Sequence, residues 1–257
     1  MRSPRMGLLI VAVCALSVHA SSAFAVSGNA NPLSSGANGG DATATRVITF
    51  AGREWLVKDW GATTFGPGPN YFSDSIRNVW VDQSGRLHLK LTKQNGTWYA
   101  AEVIAKESLG HGKYSFTLDS PVDDLDPNVA LGLFTWSDTP DFNNREIDIE
   151  FARWGNPLAE TNAQWVVQPH YLDNHMWSFR QNDAANSTHT FTWEPTQVAF
   201  TTTSGTVPFW SYSGADVPPA GDERVHMNLW LLWGQPPMNG KTQEVIVSDF
   251  TFTPMSN

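Results

Sequence analysis

Glu146, Asp148 and Glu150 occupy alternate positions in Arg145-Glu-Ile-Asp-Ile-Glu-Phe-Ala152. In an extended chain, successive side chains point to opposite faces. The three acids then share one face, and Ile147, Ile149 and Phe151 share the other. Acids two residues apart lie only ~7 Å from each other, so ionising all three is costly. Such a row retains protons, and its members titrate apart. One carboxylate that stays ionised beside one that stays protonated is the minimum equipment for cleaving a glycosidic bond. Positions 146 and 150 are ~13 Å apart on an ideal strand, whereas a pair working with retention needs carboxyls ~5–5.5 Å apart. Both side chains must therefore lean inward over Asp148. A calcium-binding acidic strand and a solvated edge strand remain as other readings of the same residues.

The elements that must carry this row are strands. Short apolar or alternating runs are expected to be extended at 46–51, 54–58, 77–82, 86–92, 97–105, 113–119, 129–136, 145–152, 163–168, 188–193, 196–203, 225–233 and 243–252. Leu87, Leu89 and Leu91 alternate with Arg86, His88 and Lys90. Asp82-Gln-Ser-Gly85, Gln94-Asn-Gly96 and Ser204-Gly205 read as turns. No stretch has a helical stripe. The pattern predicts an all-β sandwich of two packed antiparallel sheets in one domain, residues 46–257.

The chain has 257 residues, of which 41% are hydrophobic and 16% charged, enough for one substantial core. Its net charge of −9 argues against a nucleic-acid partner, which needs clustered Lys and Arg. The lone cysteine, Cys14, rules out an internal disulfide framework. Twelve Trp and 14 Phe offer flat apolar surfaces suited to sugar rings. Residues 1–25 read as a signal peptide. Arg2 and Arg5 precede a Gly7–Val18 apolar run too short to span a membrane, and Ala23-Phe-Ala25 supplies the cleavage site. Residues 26–45 read as a flexible Gly/Ser/Asn-rich linker. The expectation is a secreted monomer, extracellular, periplasmic or in the cell wall, with no membrane association after cleavage near Ala25.

Glu146-Ile-Asp-Ile-Glu150 resembles the E-x-D-x-E signature of the family 16 glycoside hydrolases, the laminarinase, lichenase and xyloglucan endotransglycosylase group. Glu102–Tyr114, His189–Pro195, Met227-Asn-Leu-Trp230 and Glu244–Phe252 resemble further family segments, in family order. The resemblance implies a jelly-roll, concanavalin A-like sandwich with a concave sugar-binding cleft. It implies double displacement with retention. Glu146 would be the nucleophile, Glu150 the general acid/base and Asp148 the residue tuning both. No cofactor is required. Asp249 sits where relatives hold a structural calcium, which makes Ca2+ an expectation there. The sequence departs from the family pattern in one segment and two single positions: Asn143-Asn144-Arg145 before the signature, Ile104 in place of an Arg, and Val166 in place of an Asn.

The candidate sugar-binding residues are Trp230, Asn228, Trp136, Trp154 and Glu102. Each also has a structural reading: sheet packing for the tryptophans, an outward strand position for Asn228, a salt bridge for Glu102. The functional expectation is a secreted endo-acting hydrolase of a β-linked polysaccharide, a β-glucan or galactan. The alternatives are a transglycosylase and a carbohydrate-binding sandwich without turnover.

Overall fold

The computed structural model describes residues 46–182, 185–204, 206 and 209–255. The expected signal peptide and linker lie outside them. The strands in chain order are β1 (Arg46–Phe50), β2 (Arg53–Val57), β3 (Tyr71–Phe72), β4 (Val79–Val81), β5 (Leu87–Lys90), β6 (Thr92–Gln94), β7 (Thr97–Ala105), β8 (Gly112–Leu118), β9 (Val129–Trp136), β10 (Ile147–Ala152), β11 (Ala163–Val167), β12 (Met176–Phe179), β13 (Ser187–Glu194), β14 (Gln197–Thr202), β15 (Phe209–Ser213), β16 (Arg224–Leu231) and β17 (Glu244–Pro254). Among the described residues the helical pieces are single 3-10 turns, one at Asn143–Arg145 and one at Leu232–Gly234.

Two sheets form. One is ten-stranded, with the path β1-β2-β7-β16-β9-β10-β11-β12 and β3 and β6 also paired to β7. The other is seven-stranded, in the order β15-β14-β13-β8-β17-β5-β4. The ladders are antiparallel except the short β3–β7 pair. The sheets meet through the alternate apolar residues. Ile147, Ile149 and Phe151 of β10, Met227 and Leu229 of β16, and Trp165 of β11 are fully buried. From the other sheet, Phe116, Phe191, Phe200 and Phe250 fill the same layer. Trp55 meets Phe250 edge-on at 5.4 Å, and its indole N–H donates to the Phe50 carbonyl at 3.0 Å. Trp193 does the same toward the Pro218 carbonyl at 3.0 Å, so neither indole carries an unmet donor into the core.

The predicted strands are found with ends shifted by one or two residues, and the 86–92 run divides into β5 and β6. One shift matters for the acids. The run expected to start at Arg145 enters its ladder only at Ile147. Phe142, Asn143, Asn144 and Arg145 all have positive φ, between 51° and 59° in Asn144 and Arg145. The chain makes a left-handed turn there. Glu146 then resumes extended geometry at φ −88°, ψ 124°, so the alternation is preserved.

Candidate active site

β10 is hydrogen-bonded on both edges, to β9 and to β11. Its core-facing residues fix which face the acids take. Asp148 pairs across with Phe134 and Val166, and Glu150 with Gly132 and Gln164. Directly opposed residues share a face. Extending the ladders therefore gives two rows across the outer surface. One runs Ile104, His226, Phe134, Asp148, Val166, Met176. The next runs Glu102, Asn228, Gly132, Glu150, Gln164, Ser178.

These residues point away from the core, yet many are buried. Asp148 is 3% exposed, Asn228 and Glu102 are 1%, and His226 is 6%. A flat outer face would leave them wet. Their burial comes in part from one another: Lys58, Glu102, His226 and Asn228 are linked by hydrogen bonds across the face. Glu146 and Glu150 keep part of their surface open on either side of buried Asp148.

Hydrogen bonds orient the trio. Gln164 Nε2 donates to Glu150 Oε2 at 2.7 Å, and Gln168 Nε2 donates to Asp148 Oδ2 at 3.0 Å. Glu146 carries its carbonyl to the Gln168 N–H at 3.1 Å, tying the chain just before β10 to the end of β11. Burial raises all three carboxyls, because water no longer stabilises the charged form. Glu150 is pushed up to about 7 by burial, against the lowering influence of Gln164. Glu146 is pushed up to about 8 by burial and by the charge on Glu150, while a hydrogen bond with Asp148 opposes the rise. Asp148 goes well above the usual range through burial and the two neighbouring charges, Gln168 opposing. The protons belong to the group, and at neutral pH the trio is not fully ionised.

The other candidates fall into place as follows. Glu102 is not an open carboxylate. It accepts from Lys58 Nζ at 2.8 Å and from His226 Nδ1 at 2.8 Å, with Asn228 Nδ2 at 3.5 Å. Burial works to raise it, but Lys58 and His226 outweigh that and hold it below its ordinary value. Trp136 is half-buried on the face of the acids, and its indole N–H donates to Asp138 at 3.3 Å. Trp230 lies on the same face, only 6% exposed, with its ring 6.2 Å from that of half-buried Trp154. Ala130 is the cross-strand neighbour of both Trp230 and Ala152, so small side chains flank the indole. Asp249 is exposed, and its carboxylate accepts the N–H of Phe250 at 2.9 Å. Among the described residues no three His, Cys, Asp or Glu side chains gather as a metal site would require.

Three residues on or past this face were not singled out from sequence. Gln168 stands on the same side of its strand as Gln164, four residues on, which alternation could have revealed. His226 precedes Asn228 by two residues and shares its face. Trp233, 43% exposed with φ 55°, extends the aromatic surface past the end of β16.

No family model and no curated protein matches the sequence. Solved structures do match in fold. The Bacillus licheniformis β-glucanase superposes with a TM-score of 0.60 at 18% identity, covering 78% of this chain and 92% of that one. A Bacteroides ovatus family 16 enzyme of a mixed-linkage-glucan locus, in complex with a tetrasaccharide product, gives 0.61 at 12% identity, covering 77% and 94%. A Mycobacterium tuberculosis antigen described as a pseudo β-1,3-glucanase gives 0.58 at 20%, covering 76% and 88%. The chain has the jelly-roll fold of the family 16 β-glucanases.

Proposed function

We propose that this protein is a secreted glycoside hydrolase that cuts a neutral β-linked polysaccharide, a β-glucan or galactan, internally and with retention of configuration. The observation that carries the reading is the column Glu146, Asp148, Glu150 on the outer face of the ten-stranded sheet, with raised proton affinity in all three acids. The fold shared with β-glucanases supports it. Secretion rests on the N-terminal 25 residues, read as a signal peptide.

In this reading Asp148, the middle and most buried acid, keeps its proton and shares it with Glu146. Glu146 attacks the anomeric carbon as a carboxylate; the free site holds a proton more tightly at Glu146 than at Glu150, so the reading requires bound sugar and the hydrogen bond from Asp148 to shift it to Glu150. Glu150, open on its other side, protonates the departing glycosidic oxygen in the same step, so the C–O bond breaks as the glycosyl ester forms. Glu150, now ionised, takes a proton from water, whose oxygen attacks the anomeric carbon and releases Glu146. Gln164 fixes the direction in which Glu150 points. A sugar hydroxyl in place of water would give transglycosylation.

A second reading, a glycan-binding sandwich without turnover, draws on the neighbour named as a pseudo β-1,3-glucanase. Incubation with β-1,3-, mixed β-1,3/β-1,4- and β-1,4-linked glucans and with galactans separates the two. New reducing ends are expected from wild type and not from Glu150→Gln. Binding with no new ends between pH 4 and 8 would retire the hydrolase reading in favour of the second.

A further inference from the structure

At one side of the sandwich the two sheets end on β12 and β15. Three titratable side chains that the proposed reaction does not use join these edges. His175, just before β12, is 2% exposed, and Tyr212 of β15 is 8%. Their rings lie 4.4 Å apart. The Tyr212 hydroxyl meets His175 Nε2 at 2.7 Å and donates to Asp216 Oδ1, while Asp216 Oδ2 stands 3.1 Å from the same ring nitrogen. A Cβ at Gly214 would crowd the hydroxyl and stand 2.6 Å from Asp216 Oδ1, so a glycine there lets the two oxygens meet. A buried imidazole is costly unless both its nitrogens find partners.

The other nitrogen of this ring reaches the sheet of the acids. His175 Nδ1 donates to the Val167 carbonyl at 2.8 Å, since a carbonyl can only accept. At such a point of an antiparallel ladder the usual donor is the backbone N–H of the opposed residue. The Val167 N–H does go to the His175 carbonyl, at 2.9 Å, but the His175 N–H turns away to the Leu172 carbonyl at 3.2 Å. The imidazole takes its place. The end of β11 is therefore closed by a side chain, and that side chain is held from the opposite sheet.

The carbonyl that His175 grips is connected to the acids through one rigid unit. The Val167 C=O and the Gln168 N–H belong to the same planar peptide group. On its far side that N–H donates to the Glu146 carbonyl at 3.1 Å. The plane is thus held at one edge by His175 and at the other by the residue that opens β10. The next Cα carries the side chain whose Nε2 donates to Asp148 Oδ2 at 3.0 Å. With the plane fixed, the direction in which the Gln168 side chain leaves the backbone is fixed too. Released at the His175 edge, the plane could tilt about its remaining bond, and the amide would move off Asp148.

We propose that His175 is a positioning residue for the acids: Tyr212 and Asp216 hold its ring, the ring holds the Val167–Gln168 peptide, and that peptide aims the Gln168 amide at Asp148. The latch touches no reacting atom and acts only through Gln168. It braces the middle acid from the seven-stranded sheet, which contributes no member of the trio. The inference deepens the hydrolase reading and rests on it for what the acids do. That the latch aims Gln168 does not depend on turnover, and the two are tested apart.

The test uses the full chain with Tyr212→Phe, which keeps a ring against the imidazole and removes only the hydroxyl, and with Asp216→Asn, which alters an exposed side chain. Hydrogen exchange followed by NMR reads the latch. In each variant the Gln168 backbone amide should exchange roughly tenfold faster, over and above any change at Met227 and Leu229 of β16. On a soluble β-glucan, each variant should lose roughly two- to fivefold in kcat with little change in KM. Combined with Gln168→Leu, these losses should not multiply, because the side chain being aimed is already gone. Exchange at Gln168 that changes no more than at Met227, a loosened Gln168 with kcat unchanged, or losses that multiply with that of Gln168→Leu would each overturn the proposal. If the wild-type chain turns over no glucan, the hydrolase reading alone falls. The latch is then judged by exchange and by the NMR signal of the Gln168 side-chain amide. A signal that moves toward that of a solvated amide in both variants upholds it; an unmoved signal overturns it.

Discussion

Gln168 holds Asp148 from the neighbouring strand end. Its Nε2 donates to Asp148 Oδ2 at 3.0 Å while its Oε1 accepts the His170 N–H at 2.9 Å. The amide is thus fixed at both ends, and its donor cannot swing away. It opposes the rise in proton affinity that burial imposes on Asp148. Gln168→Leu removes a hydrogen bond to a buried carboxyl that keeps its proton, worth about 0.5–1.5 kcal/mol. A fall in kcat of roughly two- to tenfold with little change in KM is expected. A steady-state comparison on a soluble β-glucan checks it, and an unchanged kcat would remove Gln168 from the machinery.

Glu150 must be protonated when the glycosidic bond breaks, and burial pushes it up to about 7. Below that value the acid is present; as pH rises through it, the acid is lost. The kcat/KM profile should therefore decline on the alkaline side with a midpoint near neutrality. Glu150→Gln should abolish this limb and lower turnover on unactivated glucan by roughly a thousandfold, within the usual range for losing an acid catalyst. A profile flat from pH 5 to 9 would contradict the role.

The same raised proton affinity has a stability consequence. An unfolded glutamate ionises near its ordinary value, 4.5, whereas folded Glu150 does so near 7. The folded state binds the proton more tightly, so the stability from this group is complete below the unfolded value and is lost as pH rises through the folded one. Glu150→Gln should then leave the chain more stable than wild type above about pH 7, by roughly 1–3 kcal/mol, with the gap closing below pH 5. Urea unfolding at pH 4.5 and 8 measures it. A variant destabilised at both would show that the carboxylate is a net structural contributor.

Glu146 acts in the proposal through a covalent bond, so a small residue there should accept a replacement nucleophile. Glu146→Ala is expected to be inert on an activated aryl β-glycoside and to regain turnover with added azide, producing an α-glycosyl azide. NMR of the product gives the configuration. A β-azide, or rescue at Glu150→Ala with the α product instead, would exchange the two assignments.

The turn before Glu146 is left-handed at Phe142, Asn143, Asn144 and Arg145. Asn tolerates that region; branched side chains do not. Asn143 is exposed, so a substitution there tests the backbone alone. Asn143→Gly should be close to neutral. Asn143→Val should cost about 1–2 kcal/mol and lower kcat, because the turn sets where the chain enters β10. Thermal unfolding and kinetics on both variants decide it; equal behaviour would show that the turn relaxes without moving Glu146.

Much of this molecule could be read from residue order. The alternation in 145–152 placed three acids on one face and three apolar residues in the core, because a strand held on both edges obeys period two. Thr97–Ala105 and Val129–Trp136 were legible to the residue for the same reason. Tyr71–Phe72 was too short to show a period, and Met176–Phe179 and Phe209–Ser213 lie at sheet edges, where one side of the strand is not forced to be apolar. The left-handed turn was half signalled: Asn143 and Asn144 suit positive φ, whereas Phe142 and Arg145 do not. Glu102 looked like an open subsite acid because its partners are remote: Lys58 is 44 residues away and His226 is 124. Local pattern gave the column of acids, while chain crossing gave everything that neutralises or aims them.

The ladders on both edges of β10 make the placement of its acids an all-or-none property. A slide of a single residue would drive the carboxyls into the apolar interior and expel Ile147, Ile149 and Phe151 into water. No half-right molecule exists between those two arrangements. The specific activity of a refolded sample would then act as a head count: it reports what fraction of chains reached the native register, and every chain that did so should work at full speed.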